Sequence, residues 1–509
     1  MEAILAGLSQ AFSIGNFISM AIGMAAGIVF GAVPGLNANI GIILCLPFTY
    51  GMQPIPAMLL LLSVFCGASF GGSISAILIG TPGTNNAAMT VLDGYPMAQK
   101  GQPFRGIVTA LVASTIGGVV SALVLLLAAP FVSAVTIKFA PPELFTVSAF
   151  GLSIIAAISG KNFWKGLLSG SVGVLVSLIG LDSLTGKSRF IFDDFSLMNG
   201  LSLASVLMGM FALVVILEKV KDILSADAAD AGQKAVQMKK SKTDRFTGAD
   251  FKLCMPHIIR STLLGIVIGA IPGVGGGVAS VIGYDTARRT SKNPEEFGTG
   301  RIEGVAASEA ANNAVTGSAL IPTLTLGVPG APAAATLMAA FMIHGLTPGP
   351  LLFSEDGPTV YAILIGLVIA NLLMLVIGRA LNSAFISIIK VPLEILVPAL
   401  AMTCIAGAYS DSNSMVNVYT LMIFGLLSYI FSLVKIPSIP LILGFILGPL
   451  TESNLRKSLV MSDGSFMIFL QRPICVFFIL LTIVFVICLK FDVKDFMKSC
   501  FKRKRSAVQ

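Results

Sequence analysis

From residue 12 to residue 217 the chain passes through six long apolar stretches, near 12–33, 55–80, 104–136, 144–159, 163–181 and 197–217. After a polar interval at 218–256 it does so again, near 258–283, 305–343, 358–378, 393–408, 416–434, 437–450 and 466–489. A bilayer-spanning helix needs about 20 consecutive apolar residues, and in lipid only helices or closed barrels satisfy their own backbone. Charged residues make up 11% of the chain and hydrophobic ones 55%. A soluble domain carries roughly 25% charged residues to coat its surface. This balance excludes a soluble enzyme, a nucleic-acid-binding protein and a disordered scaffold, and it predicts an all-α polytopic membrane protein embedded in a lipid bilayer.

The apolar stretches contain a duplication. Gly27-Ile-Val-Phe-Gly-Ala-Val-Pro-Gly-Leu36 aligns with Gly265-Ile-Val-Ile-Gly-Ala-Ile-Pro-Gly-Val274, and Leu78-Ile-Gly-Thr-Pro-Gly83 aligns with Thr325-Leu-Gly-Val-Pro-Gly330. Asp93-Gly94 then matches His344-Gly345, and Glu143 matches Glu394. Such an ordered series at nearly constant spacing marks an internal repeat. Charge predicts its orientation. No Lys or Arg occurs before Lys100 and Arg105, which follow the first motif set, and none occurs from 302 to 378, around the second. Basic loops stay cytoplasmic, so matching loops should face opposite sides and the two repeats should be inverted. The resulting division is a first transmembrane repeat at 1–217, a cytoplasmic polar linker at 218–256, an inverted second repeat at 257–464, an extra C-terminal span at 465–489 and a basic cytoplasmic tail at 490–509. The N-terminus falls outside and the C-terminus inside; Lys138 and the Arg456-Lys457 pair fit this arrangement poorly.

Each repeat carries two Pro-Gly breaks within apolar sequence: Pro34-Gly35 and Pro82-Gly83, then Pro272-Gly273 and Pro329-Gly330. Proline removes a helical donor, and irregular backbone at membrane depth persists only where it is buried in protein or lines a wet cavity. A single pair reads most simply as a kink. Corresponding breaks in two halves point instead to re-entrant segments around a transporter's binding site. Neutral polar residues cluster beside them. Thr81, Pro82, Gly83, Thr84, Asn85 and Asn86 form one candidate substrate-binding tip, and Val328, Pro329, Gly330 and Ala331 the other. Gly35, Asn37, Gly273, Gly275, Asn312 and Asn313 are candidate ligands for a coupling ion, Na⁺ or H⁺. Asn and Thr also serve as glue between membrane helices. No Lys or Arg lies in 75–90 or 310–340, so an anionic substrate would rely on helix N-termini, amides, hydroxyls and a co-bound cation.

The remaining polar residues read more plainly. Glu309 in Ala307-Ser-Glu is expected to cap a helix start, with cation binding or relay as the sharper alternative. Asp93 and its counterpart His344 are expected at a membrane edge. Glu143 and Glu394 follow prolines at helix starts, where a carboxylate suits the dipole. His257 should be solvated, and Trp164, between Lys161 and Lys165, should anchor at the interface. The net charge of +8 sits at loop ends and in the tail (Lys490, Lys494, Lys498 and Lys502 to Arg505), where it sets topology. Cys45, Cys66, Cys404, Cys475 and Cys488 lie in apolar segments without a CxxC pair and read as reduced. The apolar N-terminus lacks a basic leader and reads as a first span. No Walker motif, metal-ligand spacing or nucleophile–base motif appears, which predicts no enzyme activity and no cofactor.

The ordered motifs resemble the large membrane subunit of the tripartite tricarboxylate transporters, the TctA family. The resemblance is carried by Gly31-Ala-Val-Pro-Gly35, Gly80-Thr-Pro-Gly83, Asp93-Gly-Tyr-Pro-Met-Ala98, Pro141-Pro-Glu-Leu-Phe145, Glu296-Phe-Gly298, Glu303-Gly-Val-Ala306, Glu309-Ala-Ala-Asn-Asn-Ala314, Pro322-Thr-Leu-Thr-Leu-Gly-Val-Pro-Gly330 and His344-Gly-Leu-Thr-Pro-Gly-Pro350. Each is short; their order over nearly the whole chain is specific. Asp285, Thr299, Arg301 and Ser308 depart from the family pattern. The resemblance implies a secondary transporter of the bacterial inner membrane that imports carboxylates on an ion gradient, together with a small four-helix membrane subunit and a periplasmic solute-binding protein. It does not name the carboxylate. Elevator-type alternating access is the expected mechanism. An ion or solute channel, or a carrier for other solutes, is the alternative reading.

Overall fold

The computed structural model describes residues 2–158, 163–182, 184–224, 244–381 and 393–490. Lys161, the side chains of Glu394 and Cys488, most of the linker and the basic tail lie outside the described residues. The chain is helical almost throughout. Among the described residues, seven helices are long and apolar enough to cross a bilayer: Ile14–Ala32, Pro54–Ile79, Pro103–Val132, Leu203–Lys221, Gly248–Gly269, Gly357–Ala380 and Met415–Leu433. The one strand pair described is short and antiparallel, Gly180–Leu181 with Ser188–Arg189.

Two compact units emerge, each drawing on both halves of the sequence. The first comprises Met1–Ile137 and Leu201–Ile430. Its site-forming helices are α1 (Ile14–Ala32), α2 (Ala38–Cys45), α3 (Pro54–Ile79), α4 (Ala88–Gln99), α5 (Pro103–Thr136), α6 (Gly248–Gly269), α7 (Gly275–Thr290), α8 (Ile302–Ser318), α9 (Leu320–Leu326), α10 (Pro332–Ile343) and α11 (Gly357–Ala380). Helix α3 is apolar all round, which is the signature of a central helix, and its spanning window is wholly buried. Within it, Ser69 and Ser73 donate to the carbonyls of Phe65 (2.9 Å) and Phe70 (2.7 Å) one turn back.

The duplicated motifs make duplicated contacts. On α1, Gly23, Gly27 and Gly31 recur every fourth residue, and a Cβ at any of them would overlap the α3 backbone at Leu60, Val64 or Ala68. On α6, a Cβ at Gly265 would overlap the Ala311 carbonyl of α8, and one at Gly269 would meet Val315 and Ser318. Small residues at this spacing let helix backbones approach closely in a membrane. Helix α6 starts earlier than the apolar run suggests. Thr247 caps it through Asp250 in a reciprocal capping box, which extends it through the charged end of the polar stretch.

The second unit comprises Lys138–Gly200 and Phe431–Gln509. Within it Glu143 accepts from the backbone N–H of Ala140 (2.9 Å) and pairs with Arg472 (2.9 Å), so the helix-start role expected for this carboxylate is observed, with an added ion pair. Trp164 is exposed, and Lys165 donates to the Val434 carbonyl (2.5 Å). Around the strand pair, Asp182 accepts from Thr185, Arg189 and Arg456. The Thr185 hydroxyl and the Arg456 guanidinium hold its carboxyl well below the usual carboxylate range.

Candidate functional site

Both candidate tips end a helix in the same way. Helix α3 stops at Gly80 (φ 71°) and α9 at Gly327 (φ 69°). A left-handed residue at that position closes a helix, and glycine adopts it without strain. The chain then crosses Thr81–Gly83 or Val328–Gly330 and enters the next helix, through the short turn Asn85–Ala87 into α4 or directly into α10, whose first residue is Pro332. Some backbone donors of each tip are satisfied locally. Gly83 donates to the Gly72 carbonyl (3.1 Å), Val328 to Pro322 (3.2 Å), and Gly330 to Thr323 Oγ1 (3.3 Å). Each tip also lies against the break that precedes it. A Cβ at Gly83 would overlap the Gly31 carbonyl, one at Gly330 would crowd the Gly269 carbonyl, and Gly273 donates to the Gly330 carbonyl (3.0 Å).

The tips differ in access. Thr81 and Asn85 are exposed, Pro82 and Asn86 half-buried, and Gly83 and Thr84 buried. Val328, Pro329, Gly330 and Ala331 are all buried. Thr84 Oγ1 has no hydrogen-bond partner.

The two tips meet at the start of α7. A Cβ at Gly276 would stand 2.7 Å from Asn86 Nδ2 and 2.6 Å from Asn312 Oδ1, and one at Gly275 would lie 3.7 Å from Pro332 Cδ. The first turn of α7 thus runs between the first tip, the entry to α10 and the middle of α8. Its leading N–H groups have no carbonyl one turn back within the helix, and the helix dipole favours negative charge there. Asn312 donates to the Ser69 carbonyl (3.2 Å), while its buried Oδ1 is left without a partner. Asn313 donates to Ser114 Oγ (2.7 Å), and its Oδ1 is likewise unpartnered. Unsatisfied buried acceptors are uncommon; two on adjacent residues suit a ligand or ion better than a packed core.

The structure therefore brings Asn86, Gly273, Gly275, Gly276, Gly330 and Asn312 together. Gly35 and Asn37 belong to a different set. Asn37 Oδ1 accepts from Ile40 N (3.2 Å) and caps α2, and a Cβ at Gly35 would lie 3.3 Å from Lys219 Cε. Lys219 reads in sequence as the edge of the polar linker, so nothing there signals its place beside the first break.

Two further carboxylates differ from their sequence reading. Glu309 lies well inside α8, which begins at Ile302, so it is no helix cap. It is fully buried, contacted by Thr90 of α4, Ser114 of α5 and Asn313. Asp93, expected at a membrane edge, is fully buried within the protein. Its Oδ1 accepts from the backbone N–H of Gly298 (2.9 Å), Gly300 (2.8 Å) and Arg301 (2.7 Å), and its Oδ2 from Tyr284 Oη (2.9 Å). His344 is half-buried, with Nε2 2.9 Å from Thr49 Oγ1. His257 is half-buried rather than solvated, and its Nδ1 has no partner. The ligand-rich groups that would mark a metal centre are absent among the described residues.

Residues 17–443 match the model of the tripartite tricarboxylate transporter TctA family. The chain belongs to this family. A relative of comparable length is the uncharacterized 52.8 kDa protein in the TAR-I ttuC' 3' region of Agrobacterium vitis, 33% identical over 92% of each chain. A second relative from Agrobacterium vitis, the uncharacterized protein in the TAR-II ttuC' 3' region, is 37% identical over 44% of this chain and 92% of its own. No solved structure matches. TctA membership, with the apolar helices, makes the chain a multi-pass membrane subunit of a tripartite tricarboxylate transporter.

Proposed function

We propose that the chain is the permease of a binding-protein-dependent secondary transporter that imports di- or tricarboxylates across the bacterial inner membrane. Its partners are a small four-helix membrane subunit and a periplasmic solute-binding protein, and a Na⁺ or H⁺ gradient drives uptake. The observation that carries this reading is the first turn of α7 between Asn86 and Pro332. Backbone donors there would receive a substrate carboxylate. The Asn86 amide adds a neutral donor from the first tip, and the unpartnered Asn312 and Asn313 oxygens supply the acceptor side of an ion site.

The repeated Gly-X-X-X-Gly contacts and matched breaks support two related halves, and the charge asymmetry between 1–99 and 302–378 supports their inversion. Inversion gives each side of the membrane an equivalent path to one central site, the basis of alternating access. An elevator movement of the motif-bearing core against outer helices fits this arrangement. Paired cysteines that lock core to outer helices without slowing uptake would contradict it.

The direct test is uptake of labelled carboxylate by cells or vesicles carrying the whole complex. Asn85→Ala, Asn86→Ala and Asn313→Ala should each abolish uptake at normal membrane abundance. Normal uptake by all three would remove the tips from the substrate path.

A further inference from the structure

Glu309 is enclosed on three sides by neutral donors. Thr90 Oγ1 of α4 donates to Oε1. Ser114 Oγ of α5 stands 3.3 Å from Oε2, and Asn313 Nδ2, one turn further along α8, stands 3.4 Å from it. Thr90 Oγ1 lies 3.2 Å from Ser308 Oγ, so the shell is itself connected. Among the described residues no Lys, Arg or His pairs with Glu309. Of the titratable groups on neighbouring helices, Asp93 and Tyr284 bond one another, Arg105 pairs with Asp250, and among the described residues no hydrogen bond or ion pair joins Cys66, Cys254 or His257 to Glu309.

A fully buried carboxylate without a cationic partner is costly in a low-dielectric interior, and an ionisable group inside a membrane protein marks a functional path by default. Two species would neutralise it, a proton or a metal cation. The shell favours the proton. Both carboxyl oxygens already accept at hydrogen-bond distance, one from Thr90 and the other from Ser114 and Asn313. Hydroxyls can donate to a carboxylate and accept from a carboxylic acid, so Thr90 and Ser114 serve both states by rotation alone. A proton also needs no added volume between α4, α5 and α8.

We propose that Glu309 is the residue that carries the coupling proton. This rests on the reading of the chain as a gradient-driven carrier. The carboxylate takes one proton from water on one side of the membrane, forming a single O–H bond. It releases that proton to water on the other side, and no other covalent bond changes. The link to substrate is short. Asn312, with its open oxygen beside Gly276, is on the next turn of α8, and Thr90 is on the helix that leaves the first tip. Loss or gain of the proton therefore alters contacts of both tips together.

The test uses the full complex in proteoliposomes and compares wild type with Glu309→Gln, which keeps the shape and cannot titrate. Infrared difference spectra between acid and alkaline buffer should show a protonated-carboxyl band in wild type that is missing in Glu309→Gln. Thr90→Val, which retains the carboxyl but removes one donor, should shift that band. In transport, a pH gradient should drive carboxylate accumulation by wild type. Glu309→Gln should lose accumulation to the level of empty liposomes yet retain carboxylate counterflow. Accumulation by Glu309→Gln equal to wild type would overturn the proposal. So would a wild-type spectrum lacking the band, or uptake driven by a Na⁺ gradient alone with Glu309 ionised throughout. A titrating band in a protein that moves no carboxylate would instead overturn the carrier reading and leave Glu309 a proton site.

Discussion

At the residue scale, Asp93 is a heavily committed side chain. One of its oxygens satisfies three consecutive-region backbone donors, and the other satisfies a tyrosine hydroxyl. Hydrogen bonds to a charged acceptor contribute about 1.5–3 kcal/mol each, and orphaned buried donors cost a similar amount. Asp93→Ala should therefore lower the apparent melting temperature of the detergent-solubilised protein markedly. Asp93→Asn, which keeps one acceptor for the three N–H groups, should lower it less. Equal melting of both variants and wild type would show that the 298–301 loop finds other acceptors. The partners of Asp93 were not legible in the sequence because they lie about two hundred positions downstream, beyond the reach of any local pattern. Glu309 was misread for a nearer reason. Ala307-Ser-Glu imitates a cap followed by a first-turn carboxylate, but α8 starts at Ile302, behind Arg301, without a side-chain cap. Every residue of that helix, from Ile302 to Ser318, is buried.

At the element scale, the breaks were legible because Pro-Gly pairs recur at matching places in the two halves. Gly80 and Gly327 take the left-handed conformation that their place in the pattern calls for. The small-residue faces of α1 and α6 were visible as part of the repeat, but their partners were not. Apolar stretches that are uniformly Leu, Ile, Val and Ala give no sign of which helix packs on which. The contacts make a specific expectation. Gly27→Ala and Gly265→Ala would each place a methyl into a backbone carbonyl of the facing helix. Overpacking of this kind costs about 1–3 kcal/mol. Both should reduce thermal stability in detergent, whereas Gly15→Ala, with open space around it, should not. If Gly27 and Gly265 tolerate alanine as well as Gly15 does, the matched contacts do not hold the two helix pairs together.

At the scale of the molecule, neither compact unit corresponds to a sequence half, because each takes segments from both. Linear order does not reveal this, since the segments at 138–200 and 431–509 lie more than two hundred positions apart. What linear order does reveal is the duplicated frame of breaks, and that frame carries the functional reading. Its central claim is gradient-driven carboxylate uptake through a site between the two tips. The most direct measurement is uptake of a panel of labelled di- and tricarboxylates and aromatic acids into membrane vesicles carrying the full complex. It is made with and without the periplasmic binding protein, and with an inward Na⁺ or H⁺ gradient or neither. The account predicts accumulation of a carboxylate that requires both the binding protein and a gradient. Flux of solute that ignores the gradient and simply equilibrates, or no uptake of any acid by an intact complex, would contradict it.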